Sequence, residues 1–241
     1  MTAALLEVSG LHTYRGRAHV LNGVSLRVAT GEAVCLVGRN GAGKTTTIES
    51  IMGLLPARSG AIRFGGPEIT HLATHKRARL GIGYAPEDAG VFPELTVAEN
   101  FAISEMLAGQ ERTKGEAREA VEARVFELFP EVRGFLSRRG LNLSGGQKKM
   151  VAIARALTLV PSILLLDEPF EGLAPVVVNR FIEAVRKIKA MGVSLLIAES
   201  NLATATRIAD RLYAIDRGEI IFEGDPAAAL ASEVIMKTLR G

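Results

Sequence analysis

Hydrophobic and polar residues follow two patterns along this chain. Residues Leu5 to Val28 alternate loosely between apolar and polar side chains, as in short antiparallel strands with one solvated face. Turn signals divide this segment at Ser9-Gly10, Arg15-Gly16-Arg17 and Asn22-Gly23. Later stretches are almost entirely apolar, which predicts strands buried on both faces of a parallel sheet. These stretches are Ala33–Val37, Ile163–Leu166, Ser194–Ala198 and Leu212–Ile215.

Predicted helices alternate with these buried strands. A helix is predicted from about Lys44 to Met52, and a second from Pro175 to Ala190, with Gly192 after its end. Two further short strands fall at Gly60–Gly66 and at Gly81–Glu87, the latter broken by Pro86, and Asp225-Pro226 caps a small C-terminal helix. Strand and helix in alternation predict an α/β protein with a wound parallel sheet.

One long segment interrupts this alternation. Between Asp88 and Val160 we predict no strand, and charged residues recur at helical spacing from Thr113 to Leu128. We therefore predict a single domain over residues 1–241, with a core formed by 1–87 and 161–241 and a helical subdomain at 88–160.

Composition indicates where the protein is located and which classes of partner it binds. Its apolar stretches are far shorter than the ~20 residues of a membrane span, and Met1 to Leu6 lack a signal-peptide pattern, so we expect a soluble, cytoplasmic chain. The single cysteine, Cys35, allows no internal disulfide and is predicted to be a small buried side chain. Lys and Arg total 29 and Asp and Glu total 26, a balance that does not predict a nucleic-acid surface.

A phosphate-binding loop follows the first buried strand. Its nine residues, Gly38 to Thr46, match the pattern G-x-x-x-x-G-K-[ST] at every fixed position, and strand, loop and helix come in the required order. We expect glycines 38, 41 and 43 to adopt positive φ, so that backbone N–H groups point at phosphate oxygens beside the helix N-terminus. Lys44 would reach the β- and γ-phosphates, and the Thr45 hydroxyl would bind Mg²⁺. The candidate nucleotide-binding residues are Gly38, Arg39, Asn40, Gly41, Ala42, Gly43, Lys44, Thr45 and Thr46.

Two carboxylates end the strand Ile163–Leu166. Asp167 is a candidate Mg²⁺ ligand and Glu168 a candidate general base for the attacking water, because ligands sit at the carboxyl ends of parallel strands. A structural ion pair is the alternative.

Upstream, a helix opens at Leu143 to Gln147 with Ser144 as its N-cap, and its two glycines suit either a ligand or an ordinary helix start. Tyr14 could stack on a purine or pack on its own sheet.

Taken together, these motifs resemble the nucleotide-binding subunits of ATP-binding cassette (ABC) transporters from end to end. The resemblance implies a P-loop NTPase core with an antiparallel β subdomain and an inserted helical subdomain. It implies that Tyr14 stacks on adenine and that Glu168 is the catalytic base. In the family, two cassettes close head to tail, so that the signature residues of one chain cap the ATP bound by the other. Those residues are Ser144, Gly145, Gly146 and Gln147 here, and Glu171–Ala174 falls on the D-loop that touches the facing subunit.

Finer features resemble the ATPases of branched-chain amino-acid importers and their amide and urea relatives. The Q-loop position carries Glu87, which keeps an oxygen for Mg²⁺ but adds a negative charge. The switch position, usually histidine and often glutamine in this group, carries Ser200, whose short hydroxyl would reach the γ-phosphate only through water. We therefore expect slow hydrolysis by the isolated chain.

The resemblance also implies partners. These are membrane permease subunits facing Asp88–Gln110, a second cassette that is either a copy or a paralogue, and indirectly a periplasmic or external substrate-binding protein. The chain would lie on the inner face of the cell membrane, and no nucleic-acid partner is expected. Two alternatives remain: a lipid or lipopolysaccharide exporter ATPase, and a non-transport cassette protein acting on nucleic acid or ribosomes.

Overall fold

The structure is a computed structural model that describes residues 4–112 and 118–240. Its strands are β1 (Ala4–Arg15), β2 (Ala18–Ala29), β3 (Ala33–Val37), β4 (Ala57–Phe64), β5 (Ile82–Ala85), β6 (Ile163–Asp167), β7 (Ser194–Glu199), β8 (Arg211–Asp216) and β9 (Glu219–Gly224). Its α-helices are α1 (Lys44–Met52), α2 (Thr74–Leu80), α3 (Val97–Arg112), α4 (Arg118–Leu128), α5 (Gly145–Leu157), α6 (Pro175–Ala190), α7 (Leu202–Ala205), α8 (Pro226–Ala231) and α9 (Glu233–Arg240). Short 3₁₀ helices lie at Pro130–Phe135 and Gly140–Asn142.

The strands form two sheets. In the described residues, β2-β1-β4 make an antiparallel sheet, and a second sheet has the order β5-β6-β7-β3-β8-β9. The second sheet is parallel apart from β9, which runs antiparallel to β8. The predicted α/β class, with a wound parallel sheet and an antiparallel β unit, is therefore confirmed.

Hydrophobic cores lie on both faces of the larger sheet. Alternate residues of β3 face opposite cores. Ala33, Cys35 and Val37 belong to the core on the side of α5 and α6, whereas Val34 and Leu36 belong to the core between the sheet, α1 and the antiparallel sheet. Because both faces are covered, every residue of β3 is buried, which explains why the strand reads as a continuous apolar run. Cys35 is a buried free cysteine, as predicted.

A buried arginine from another helix closes the C-terminal end of α1. The Arg77 guanidinium, from α2, donates to the carbonyl oxygens of Ser50 and Ile51 at 2.8 and 2.7 Å. It also donates to Leu72 O and Thr70 O, both at 2.7 Å. The bonds to Ser50 and Ile51 satisfy carbonyls that a helix end leaves without intrahelical partners, so they stabilise the C-terminal end of α1.

Most predicted elements are confirmed, with differences in the first segment and at the C-terminus. Ser9-Gly10 and Asn22-Gly23 are not turns: both lie inside long strands, beside register shifts where glycines adopt positive φ. Only the signal at Arg15–Arg17 marks the hairpin. The sequence pattern does not distinguish a bulge within a long strand from a turn between two short strands, because glycine with positive φ is favoured in both. Four elements, β9, α2, α7 and α9, were not predicted from the sequence pattern.

The insertion is helical in the residues that the structure describes. Helices α3, α4 and α5 and the 3₁₀ helices fall between residues 88 and 160, and part of the predicted Thr113–Leu128 helix, residues 113–117, lies outside the described residues. The boundaries at 87/88 and 160/161 stay predictions. None of the described helices combines the length and apolarity that crossing a bilayer requires.

Topology brings the candidate residues to one edge. Strands β5, β6, β7 and β3 are consecutive neighbours and run parallel, so their carboxyl ends meet. The segments that follow these ends carry Glu87, Glu168, Ser200 and the loop from Gly38 to Thr46, in that spatial order.

Candidate functional site

The phosphate loop joins β3 to α1 through a glycine-rich turn. Gly41 and Gly43 have φ of 81° and 115°, and Gly43 is the N-cap of α1, so the prediction of positive φ is confirmed there. It is wrong for Gly38, which does not adopt positive φ. A Cβ at Gly38 would lie 2.5 Å from the carbonyl oxygen of Ile215, so glycine is needed there for close packing against β8.

An open cleft of about 500 Å³ lies above this loop, within the size range of small-molecule sites. Most candidate phosphate-loop residues and two of the candidate carboxylates line it. Arg15 and Val20 also line it and were not predicted, and Glu171, which was predicted only as part of the D-loop, lines it as well. The other lining residues are Asn40, Gly41, Gly43, Lys44, Thr45, Thr46, Glu87 and Glu168.

The Lys44 ammonium contacts three acceptor oxygens, two in the phosphate loop and one on Glu168 after β6. It donates to Gly38 O at 2.7 Å and to Arg39 O at 3.0 Å, and it lies 2.9 Å from Glu168 Oε1. Both side chains of this ion pair are about 95% buried, so neither charge is solvated by bulk water. The ion pair that the sequence analysis left as an alternative for Glu168 is therefore present in this structure. A phosphate reaching Lys44 would compete with Glu168 for the ammonium.

Glu168 and Ser200 form the second contact across this edge. The Ser200 hydroxyl donates to Glu168 Oε1 at 2.5 Å, and the Ser200 N–H donates to Oε2 at 3.1 Å. The same hydroxyl oxygen lies 3.1 Å from Asn40 Oδ1. The candidate switch residue thus holds the candidate base directly.

Asp167 and Thr45 present oxygen atoms suited to a hard cation. Thr45 Oγ1 donates to Asp167 Oδ1 at 3.1 Å, while Asp167 Oδ2 is buried with no hydrogen-bond partner. Burial raises the pKa of Asp167 to about 6, which a bound cation would reverse. No group of three or more His, Cys, Asp and Glu in the described residues could hold a metal. This donor set fits Mg²⁺, which often takes few protein ligands and completes its shell with phosphates and water.

Glu87 lines the same cleft on the β5 side. Its pKa is raised first by desolvation, and then by the charge of Glu171 and a hydrogen bond with it. The two glutamates therefore face each other at the cleft wall, so a cation or proton there would relieve their repulsion. Its proposed oxygen contact to Mg²⁺ stays a prediction.

The signature segment forms a capped helix start outside the cleft. Ser144 accepts a hydrogen bond from the Gln147 N–H at 3.3 Å, and the Gln147 side chain accepts from the Ser144 N–H at 3.0 Å. This capping box confirms Ser144 as the N-cap of α5. Ser144 and Gly145 are exposed, and no signature residue lines the cleft formed by Lys44. The structure therefore does not bring the signature residues to the phosphate loop of the same chain.

Tyr14 is separated from the phosphate cleft. It is 40% exposed and stacks on His19 of the adjacent strand, with ring centroids 4.3 Å apart and planes inclined by 2°. It lines a separate hollow with Gly16 and residues 56–58. Of the two alternatives, the structure places the ring against its own sheet, and adenine stacking on Tyr14 stays a prediction.

The neighbouring arginine points into the phosphate cleft instead. Arg15 Nε donates to Thr46 Oγ1 at 3.1 Å, and its guanidinium forms an ion pair with Glu49. Because successive strand residues face opposite sides, Arg15 and Tyr14 diverge. The sequence signal that could have identified Arg15 is its position at the hairpin turn beside Tyr14.

Comparison with known proteins decides the family. The ABC transporter family profile matches residues 21–171. The chain belongs to the ABC transporter family. It is 35% identical over 237 residues to the high-affinity branched-chain amino acid transport ATP-binding protein BraG of Pseudomonas aeruginosa, covering 98% of this chain and 100% of the relative. It is 36% identical over 228 residues to the lipopolysaccharide export system ATP-binding protein LptB of Escherichia coli K12, covering 95% and 93%.

The fold comparison agrees. The ADP conformation of MJ1267, an ATP-binding cassette of an ABC transporter, superposes with a TM-score of 0.84 at 29% identity and covers both chains completely. This ABC protein is therefore an ATP-binding, ATP-hydrolysing subunit with a P-loop NTPase fold. One relative is named for branched-chain amino acid transport and another for lipopolysaccharide export, and they are 35% and 36% identical to this chain. Sequence identity alone therefore does not determine which cargo is transported.

Glu199 is a buried carboxylate that the sequence analysis missed. It ends β7 immediately before Ser200, and its Oε1 accepts from the Asn201 N–H at 2.8 Å. Its Oε2 is buried without a partner. Desolvation, followed by the charge of Glu168, raises its pKa to about 7. A glutamate directly after an apolar strand was the available signal.

We expect Glu199→Gln to flatten the pH dependence of stability. A carboxyl whose folded pKa is raised contributes stability that is present below its unfolded pKa of about 4.3 and is lost as the pH rises through about 7. In denaturant unfolding, the variant should match wild type near pH 4.5 and exceed it by about 1–3 kcal/mol at pH 8. Glu219→Gln, at an exposed glutamate of β9, is the control. Equal pH profiles for both variants would contradict this assignment.

Proposed function

We propose that this ABC ATPase powers uptake of branched-chain amino acids or related small amides through membrane permease subunits. It would act as a peripheral protein on the cytoplasmic face of the cell membrane, with an external binding protein delivering the cargo. The observation that carries this proposal is the 35% identity to BraG over the whole relative, together with a glutamate at position 87 and the absence of histidine at position 200.

In the proposed cycle, ATP joins two cassettes. Phosphate oxygens would contact the backbone N–H groups of residues 38–46 and the N-terminal end of α1, where the partial charge is positive. Signature residues of the facing cassette would cap the γ-phosphate. Their position outside the cleft of their own chain supports this geometry. Closure removes water, so each hydrogen bond to the phosphate becomes stronger.

The chain's own residues change partners in this cycle. Lys44 leaves Glu168 to bind the β- and γ-phosphates, and the released Glu168 carboxylate accepts a proton from the attacking water. Thr45, Asp167 and Glu87 would hold Mg²⁺, which supplies a positive charge against the developing charge on the phosphates. Hydrolysis and phosphate release remove the link between the cassettes, and the permeases follow their opening.

We expect Ser200→His to raise hydrolysis by the isolated chain by about 10-fold. An imidazole is longer than a hydroxymethyl group and can reach the γ-phosphate directly, and it removes the short hydrogen bond that holds Glu168. Ser200→Ala is the matched control, because it removes the same bond without adding a donor. Steady-state phosphate release measures the effect. A rate that is unchanged or lower in Ser200→His would contradict the proposed role.

A lipopolysaccharide or lipid exporter ATPase is the second candidate, favoured by the 36% identity to LptB. Affinity purification from gently solubilised membranes tests both, with identification of every copurifying protein. Permeases and a second cassette encoded with an amino-acid-binding protein would support the importer. Recovery with lipopolysaccharide-transport proteins would support the exporter. Salt-sensitive recovery with DNA or ribosomes would overturn both in favour of a non-transport role.

A further inference from the structure

The Lys149 ammonium ties the signature helix to the loop that carries Glu168. Lys149 lies on α5, whose first turn contains the signature glycines. Its Nζ donates to the carbonyl oxygen of Glu168 at 2.5 Å and to that of Glu171 at 2.9 Å. Both carbonyls belong to the turn that follows β6, so one side chain fixes this turn against α5.

The backbone that Lys149 holds is strained. Glu168 has φ of 45°, in the left-handed region that non-glycine residues rarely adopt. Its N–H donates to Ala198 O at 3.0 Å, and its carbonyl accepts from Lys149. The peptide groups on both sides of Glu168 are therefore anchored, and these anchors set the direction in which the carboxylate leaves the backbone.

Electrostatics favour a cation at this position. The charges of Glu171, Glu168, Glu87 and Glu199 all act on the half-buried Lys149 and oppose the lowering of its pKa by burial. Removing the ammonium would leave the carbonyl oxygen of Glu168 with only the Glu171 N–H, at 3.2 Å, as a donor, and would remove the Lys149 hydrogen bond from the carbonyl oxygen of Glu171. It would also remove the positive charge that faces the four carboxylates. Fewer contacts would then stabilise the strained backbone conformation of Glu168.

We infer that Lys149 is a positioning residue for ATP hydrolysis, which acts by fixing the backbone of Glu168. It also links, within one chain, the helix that would cap the partner's nucleotide to the base that acts on the chain's own nucleotide. This inference rests on the proposed role of Glu168. Lys149 itself does not line the phosphate cleft, so it is not proposed to touch ATP.

The test compares Lys149→Met with Lys148→Met. Lys148 is the adjacent residue of α5, and the structure gives its ammonium no hydrogen bond or ion pair with the described residues. We expect Lys149→Met to lower kcat by about 10- to 100-fold, because a displacement of about 1 Å can cost 10²-fold. Its KM for ATP should stay within about 2-fold, since the phosphate loop is untouched. Lys148→Met should change neither quantity.

Two further variants separate positioning from folding. Lys149→Arg should recover most of the rate, because a guanidinium can donate to both carbonyls. In a Glu168→Gln background, Lys149→Met should cause no further loss of the residual rate, because its effect passes through Glu168. A full additional loss in that background, or a rise in KM with a lowered thermal midpoint and no recovery by arginine, would overturn the inference.

The same variants distinguish failure of the Glu168 assignment from failure of the Lys149 assignment. If Glu168→Gln hydrolyses ATP at the wild-type rate, the base assignment fails and this inference fails with it. If Glu168→Gln is inactive while Lys149→Met is as active as Lys148→Met, the base assignment stands and only the role of Lys149 is overturned.

Discussion

Lys44→Ala is expected to weaken ATP binding by about 30- to 1,000-fold, equivalent to about 2–4 kcal/mol, because charge-assisted hydrogen bonds to two phosphates are lost. The effect on affinity is large because the ammonium is 95% buried, so solvent screens its attraction for the phosphates only weakly. Equilibrium binding of a fluorescent ATP analogue, competed with ATP, measures it.

The matched control for this variant is Lys76→Ala, at an exposed lysine of α2. It removes an equal charge far from the phosphate loop in sequence, so its affinity for ATP should equal that of wild type. Lys44→Ala also removes the ion pair to Glu168, so its unfolding should be measured in parallel. Full-strength ATP binding by a folded Lys44→Ala chain would leave the phosphate-loop assignment without support.

Glu168→Gln is expected to keep ATP binding but to lower kcat by about 10²- to 10⁴-fold, the usual contribution of a general base. An amide has nearly the shape of the carboxylate and still accepts from Ser200, but it cannot take a proton from water. It also loses the charge that competes with phosphate for Lys44, so its affinity for ATP should be equal to or higher than that of wild type.

With hydrolysis blocked, the ATP-loaded variant should accumulate as a closed dimer, with itself or with its paralogous cassette. Light scattering of the 25.7 kDa chain with and without ATP measures this. Glu183→Gln, at an exposed glutamate of α6, is the control and should hydrolyse ATP normally. Normal turnover by Glu168→Gln would exclude it as the base.

The sequence predicted the phosphate loop and the buried strands well, because both are local. A phosphate loop is defined by glycines at fixed spacing, and a buried strand by a short run of apolar residues. Each lies within about ten consecutive residues, so it can be recognised without knowledge of the fold. The carboxylate pair after β6 was also predictable, since a polar residue that ends a buried strand lies at the sheet edge.

Other parts of the site depend on contacts between distant segments. Lys149 acquires its two carbonyl partners, 19 and 22 residues further along the chain, only when α5 packs beside the turn after β6, so its sequence neighbourhood carried little information. For Glu199, the position after an apolar strand was visible in the sequence, but the charge of Glu168 that helps to raise its pKa was not. The direction of Tyr14 depended on the register of a strand that contains bulges, where a shift of one residue exchanges the two faces. Gly38 was predicted correctly as a required glycine, but for the wrong reason: its neighbour is a carbonyl of β8, which no sequence pattern indicated.

The most direct test of the proposed function is the ATPase rate of this chain assembled with its copurified permeases in lipid nanodiscs. We predict that an external binding protein loaded with a branched-chain amino acid or small amide raises the rate several-fold, and that the Glu168→Gln complex shows no such rise. Stimulation by lipopolysaccharide, with no response to the loaded binding protein, would contradict the account.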